Sequence, residues 1–178
     1  MATYQTTTNY ALTGDTVLDA LTYDTKWGGA RGTGATLTYS FHNAASTYGT
    51  QATYGTADPF SNTGAPNEVL KTAIRASLAE WTKVANLTFV EVADTGSTSG
   101  VLRFGTSSEI DRLGIAGRAT TPSTTFERSG NVWLSNNIFY NIKALSPGNY
   151  YFQAVMHEIG HALGMSHPFD TGVTLPKD

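Results

Sequence analysis

The sequence predicts an α+β fold, on three observations. Two amphipathic helical segments, 66–85 and 150–163, stand among short strand-like runs without strict strand–helix alternation. The 178-residue chain carries 28 Thr, 13 Ser, 18 Gly and 10 Asn, a composition suited to strands and turns rather than to a helical bundle. No apolar run approaches the roughly 18–20 residues of a membrane span, which excludes a transmembrane helix.

Taken in order, residues 1–16 read as a flexible, polar N-terminal tail and 17–178 as one domain. Val17, Leu18 and Leu21 share one face of a short helix that Asp15 or Thr16 can cap. After a Gly-rich bend at 27–29, residues 35–41 alternate, with Leu37, Tyr39 and Phe41 on one side of a strand. Residues 43–64 read as a long loop. The first long helix begins near Pro66 and Asn67, with Pro66 in its first turn and Leu70, Ile74, Leu78, Trp81 and Ala85 forming its apolar stripe. Strands follow at 87–92 and 101–104. Residues 114–121 read as an edge strand closed by Pro122, and 132–134 as a short strand. The second long helix, 150–163, ends at Gly164.

With 11 Lys+Arg and a net charge of −3, nucleic acid and anionic membrane are excluded as main partners. The absence of cysteine removes disulfides, thiolate nucleophiles and Cys-type zinc sites together. The N-terminus shows no basic segment followed by an apolar one, hence no Sec-type signal peptide.

One segment carries the chemistry: His157-Glu158-Ile159-Gly160-His161-Ala162-Leu163-Gly164-Met165-Ser166-His167, which holds three of the chain's four histidines. On a helix, His157 and His161 lie one turn apart and project to one side, the arrangement two nitrogens need to reach one Zn²⁺. Glu158 sits beside them, placed for a water on the metal rather than for the metal. Had the helix continued, His167 would point elsewhere. A left-handed Gly164 reverses the chain so that His167 can supply the third ligand.

This pattern resembles the metzincin signature, and Pro168 after His167 resembles its serralysin branch. Residues 37–41, 81–89 and 131–134 are similar to strands and a helix end of serralysin-like catalytic domains. The resemblance implies a secreted zinc endopeptidase of polypeptides, with a twisted mixed sheet above the active-site helix and 114–121 as the strand that pairs with substrate. Zn²⁺ would be held by His157, His161 and His167, with Glu158 as general base. The resemblance also has gaps. Met1, Met156 and Met165 all precede His167, so the Met-turn of the family is missing, Phe169 replaces a usual glycine, and the Gly/Asp calcium repeats are absent. The chain therefore reads as a catalytic domain incomplete at its C-terminus, and a non-catalytic zinc-binding fragment is the alternative.

Other residues receive structural readings. His42 reads as a surface or capped residue. Tyr150, Tyr151 and Phe152 read as packing residues, with cleft lining as the alternative. Trp27 and Trp133 read as core or sheet-packing anchors, with approach to a substrate channel the alternative for Trp133. Asp94 and Asp111 read as solvated loop carboxylates rather than calcium ligands. Arg118 reads equally as a substrate contact and as a charge that discourages edge pairing.

Overall fold

The computed structural model describes residues 7–49, 62–123, 125–140 and 142–170. Its elements are β1 (Thr7–Asn9), α1 (Thr16–Leu21), β2 (Thr25–Trp27), β3 (Ala35–Phe41), β4 (Thr63–Gly64), α2 (Glu68–Val84), β5 (Leu87–Glu91), β6 (Leu102–Ser107), α3 (Ser108–Arg112), β7 (Gly117–Ala119), β8 (Asn131–Ser135), α4 (Asn136–Tyr140) and α5 (Tyr150–Leu163). The main sheet runs β5-β3-β6-β8-β7, with β4 paired beside β6. Strands β5, β3, β6 and β8 are mutually parallel, and only β7 and the short β4 run antiparallel to their neighbours. The architecture is α+β with a mixed sheet, as the element pattern predicts, and β7 is an edge strand.

The core lies between one face of this sheet and the two long helices. Leu37 and Tyr39 of β3, Leu102 and Phe104 of β6, and Val132 and Leu134 of β8 meet Leu70, Ile74 and Leu78 of α2 and Val155, Ile159 and Ala162 of α5. Alternation along the strands places these residues on one side, and the three- and four-residue steps along each helix present a matching stripe. Gly160 lets α5 approach α2 closely: a Cβ there would stand 3.2 Å from the Trp81 ring. Every residue of β6 and β8 is buried, so the opposite sheet face is covered as well.

Several expectations are corrected. The segment read as a tail contains β1, whose residues Thr7–Asn9 pair antiparallel with β2. In α1, capped by Asp15, the residues turned inward are Asp19 and Ala20, while Val17 and Leu18 are exposed. Asp19 wins the inner position because it accepts hydrogen bonds from the backbone N–H groups of Thr13 and Gly14 and from the Thr13 hydroxyl. Pro66 precedes α2 rather than entering it, and Asn67 caps the helix by accepting from the Leu70 N–H. Of the expected 43–64 loop, 50–61 lie outside the described residues.

His42 is buried, not superficial. Its Nδ1 lies 2.6 Å from the Tyr48 hydroxyl, its ring packs on Trp133, and burial lowers its pKa. Asp94 is buried against Arg103 in a bidentate pair. Asp111 accepts from the Ser135 hydroxyl and the Asn137 N–H, which fastens the start of α4. A carboxylate escapes solvation when a neighbouring strand offers donors, as β6 does for Asp94 and β8 for Asp111.

Candidate metal centre and cleft

Helix α5 begins at Asn149, whose side chain accepts from the Tyr151 N–H at 2.8 Å. Phe152, Val155, Ile159 and Ala162 face the core, which turns His157 and His161 toward the edge below β7. The helix stops at Gly164, where φ is 109°, a left-handed conformation that glycine adopts without a Cβ penalty. The Gly164 N–H donates to the His161 carbonyl and the Met165 N–H to the Gly160 carbonyl. The chain thereby reverses and returns His167 to the two helical histidines.

The three imidazoles converge. The Nε2 atoms of His157 and His161 lie 3.0 Å apart, those of His161 and His167 3.2 Å, and those of His167 and His157 3.1 Å. Three nitrogens arranged tetrahedrally at ~2.0–2.1 Å from one zinc ion are about 3.3–3.4 Å apart, so the triangle is the right size for a shared ion. The far sides of two rings support this. His161 Nδ1 lies 2.9 Å from the Met165 carbonyl oxygen, and His167 Nδ1 donates to the Asp170 carboxylate. Each bond places the proton on Nδ1 and leaves the Nε2 lone pair directed inward. Burial and the neighbouring His161 and His167 lower the pKa of His157, which favours the neutral, ligating form. The group His157, His161 and His167 can therefore hold a metal ion.

Glu158 is buried beside this triangle, under β7. Its burial raises the carboxyl pKa to about 7, against the opposing pull of His167 and of the Ala119 backbone N–H. Gly117 makes room for it: a Cβ there would stand 2.7 Å from Glu158 Cγ and 2.9 Å from Leu134 Cδ2. In the antiparallel β7–β8 ladder, Ser135 N–H donates to Ala116 O and Thr120 N–H to Asn131 O. By the alternation of such ladders, the backbone groups of Gly117 and Ala119 turn to the free edge.

A cleft of about 740 Å³ runs between this edge and α5, with Ile115 to Ala119 on one wall and Tyr150, Gln153 and Ala154 on the other. Glu158 and all three histidines open into it. Tyr150 is 70% exposed and belongs to this wall rather than to the core, whereas Phe152 is buried and Tyr151 packs edge-on against Phe139. Arg118 lies at the rim. Trp27 and Trp133 are buried, and neither lines the cleft.

Three participants are not assigned in the sequence reading. Asp170 lies three residues after His167, and its spacing was a usable signal for a group orienting that ring. Gly117 is a glycine inside a strand, which often marks a close approach of another group. The Ala119 N–H has no sequence signal, because any residue but proline supplies it.

Comparison with known proteins agrees with this geometry. A family model of the matrixins, peptidase family M10, matches residues 34–175. A serralysin of Proteus mirabilis is 31% identical over 159 residues, covering 83% of this chain and 31% of that protein. Serralysin C of Dickeya chrysanthemi is 34% identical over 159 residues, covering 85% and 31%. The metallopeptidase AprA of Pseudomonas marginalis is 36% identical over 135 residues, covering 75% and 27%. The chain thus spans about a third of the length of these relatives.

Proposed function

The chain belongs to the matrixin (M10) metallopeptidase family, and from that membership we propose that it is a zinc-dependent endopeptidase acting on extended polypeptides outside the cell. The observation that carries this reading is the convergence of three Nε2 atoms within 3.0–3.2 Å of one another, beside a buried carboxylate and below a free strand edge. His157, His161 and His167 hold the zinc, with Asp170 orienting His167 and the Met165 carbonyl orienting His161. The ion supplies Lewis acidity toward the scissile carbonyl and the attacking water.

The protein's own groups do the rest. The edge of β7 offers the Gly117 backbone and the Ala119 carbonyl to an extended peptide, which gives affinity with little sequence demand. The Ala119 N–H is engaged by Glu158. Glu158 takes the proton of the attacking water and delivers it to the leaving amine nitrogen. Its burial against Gly117 fixes the carboxylate and raises its proton affinity toward neutrality.

Incubating the zinc-loaded chain with denatured casein tests the reading. The expected result is internal cleavage that stops on addition of a zinc chelator. Stoichiometric zinc without hydrolysis of any denatured protein would instead assign the chain to the non-catalytic zinc-binding alternative.

Gly117→Ala gives a finer expectation. The added methyl meets Glu158 Cγ at 2.7 Å, so the carboxylate must shift. Displacing a catalytic group by about 1 Å can lower kcat roughly 10²-fold. Zinc affinity should stay at the wild-type value, and steady-state kinetics with a chelator titration would read both.

A further inference from the structure

The turn that carries the third histidine is held from outside the helix. Residues 21–27 run beside 162–167 as a strap. The Tyr23 N–H donates to the Gly164 carbonyl at 2.8 Å, and the Ser166 N–H donates to the Leu21 carbonyl at 2.9 Å. Thr22 and Met165 form an antiparallel bridge between these two bonds. The Trp27 indole N–H donates to the Ala162 carbonyl at 2.7 Å, a buried bond between residues 135 positions apart. The Thr25 carbonyl oxygen lies 2.8 Å from the place a Cβ on Gly164 would take, so the strap rests on the glycine that reverses the chain. Pairing of β1 with β2 backs the strap from its other side.

Every one of these contacts falls on or next to a residue that matters for the histidines. Ala162 follows His161, and Ser166 precedes His167. Met165, bridged to Thr22, supplies the carbonyl that orients His161 Nδ1 at 2.9 Å. Beyond Gly164 the helix provides no further rigidity, and a free 165–167 segment would keep the conformational entropy that ligation must remove.

We infer that residues 21–27 belong to the metal centre, as a strap that fixes His161 and His167 relative to each other and so sets the affinity for zinc. The inference rests on the metal-centre reading above and adds to it a set of positioning residues that act on the histidines through the turn at 162–167, with Tyr23 also lining the cleft. It makes zinc affinity depend on how the N-terminal part of the domain is docked.

The test uses the full chain, with zinc affinity measured by chelator competition and the ligand field by the absorption of Co²⁺ in place of zinc. Trp27→Phe removes the indole donor and keeps most of the ring. Tyr23→Pro removes the backbone donor, and Tyr23→Ala keeps it as the control for the lost phenol. Loss of an outer partner of a metal ligand weakens binding by about 10- to 100-fold. Trp27→Phe and Tyr23→Pro are therefore each expected to raise the zinc dissociation constant about tenfold and to alter the Co²⁺ spectrum. Tyr23→Ala should remain near wild type in both. Wild-type affinity and an unchanged Co²⁺ spectrum in the first two variants would overturn the inference. If Tyr23→Pro loses its near-UV circular dichroism, Trp27→Phe decides alone. Failure of the wild-type chain to take up zinc would overturn the metal-centre reading, and the strap with it.

Discussion

Glu158→Gln is expected to lower casein hydrolysis by the zinc-loaded chain about 10²–10⁴-fold, the usual contribution of a positioned general base, while leaving zinc affinity unchanged. Glutamine has nearly the same shape, so the buried space against Gly117 stays filled. It accepts no proton at neutral pH, and the step from water to leaving amine loses its carrier. Zinc is retained because the converging atoms belong to His157, His161 and His167, not to Glu158. The residue is 8% exposed, which keeps bulk water from replacing the carboxylate. Cleavage by Glu158→Gln at the wild-type rate would end the assignment of Glu158 as base. Loss of zinc in this variant would show that the carboxylate acts on the metal site instead.

Much of this arrangement was legible in the residues because it is local. His157, Glu158 and His161 follow from helical spacing alone. Gly164 follows from the need for a left-handed turn, and both strong helices emerge from the period of their apolar residues. What the sequence hid is pairwise and distant. Asp94 and Asp111 read as solvated because their partners, Arg103 and Ser135, lie on strands whose place in the sheet no local pattern specifies. His42 read as exposed for the same reason, since Tyr48 and Trp133 cover it only after β3 and β8 take their places in the sheet. The short strand β1 carries no periodicity over Thr7–Asn9 and is defined by its partner β2. In the site, all three histidines were readable, and the spacing of Asp170 was a signal for the group that aims His167, whereas the backbone carbonyl that aims His161 has no sequence signal.

The fold separates stability from chemistry across the two faces of the sheet. Leu102 and Phe104 face the helices, and alternation sends Arg103 to the opposite side, away from α5. There its guanidinium meets Asp94 at 2.8 and 2.9 Å, donates to the Thr47 carbonyl and lies 4.0 Å from the centre of the Tyr48 ring. The Ser40 hydroxyl donates to the same Asp94 carboxylate and itself accepts from the Gly100 N–H. These bonds tie the loops after β3 and β5 to the centre of the sheet.

Asp94→Ala is accordingly expected to cost about 3–5 kcal/mol of stability, because it strands a buried guanidinium without its counter-charge. Urea unfolding of the metal-free chain would measure the loss as a shift of the midpoint at constant slope. The double substitution Asp94→Leu with Arg103→Met should be milder than Asp94→Ala alone, since apolar groups of similar volume can replace a buried ion pair at little net cost. Its residual loss should be on the order of 1 kcal/mol, from the Ser40 hydroxyl left without its acceptor. A double variant as unstable as the single would show that the loops are held by the geometry of the pair and not merely by the balance of its charges. Zinc affinity at 25 °C should be unchanged in both variants, because the sheet lies between this network and the histidines. A weakened zinc site in Asp94→Ala would mean that the two faces are coupled through β8, the strand that carries both Trp133 above and Leu134 against Gly117 below.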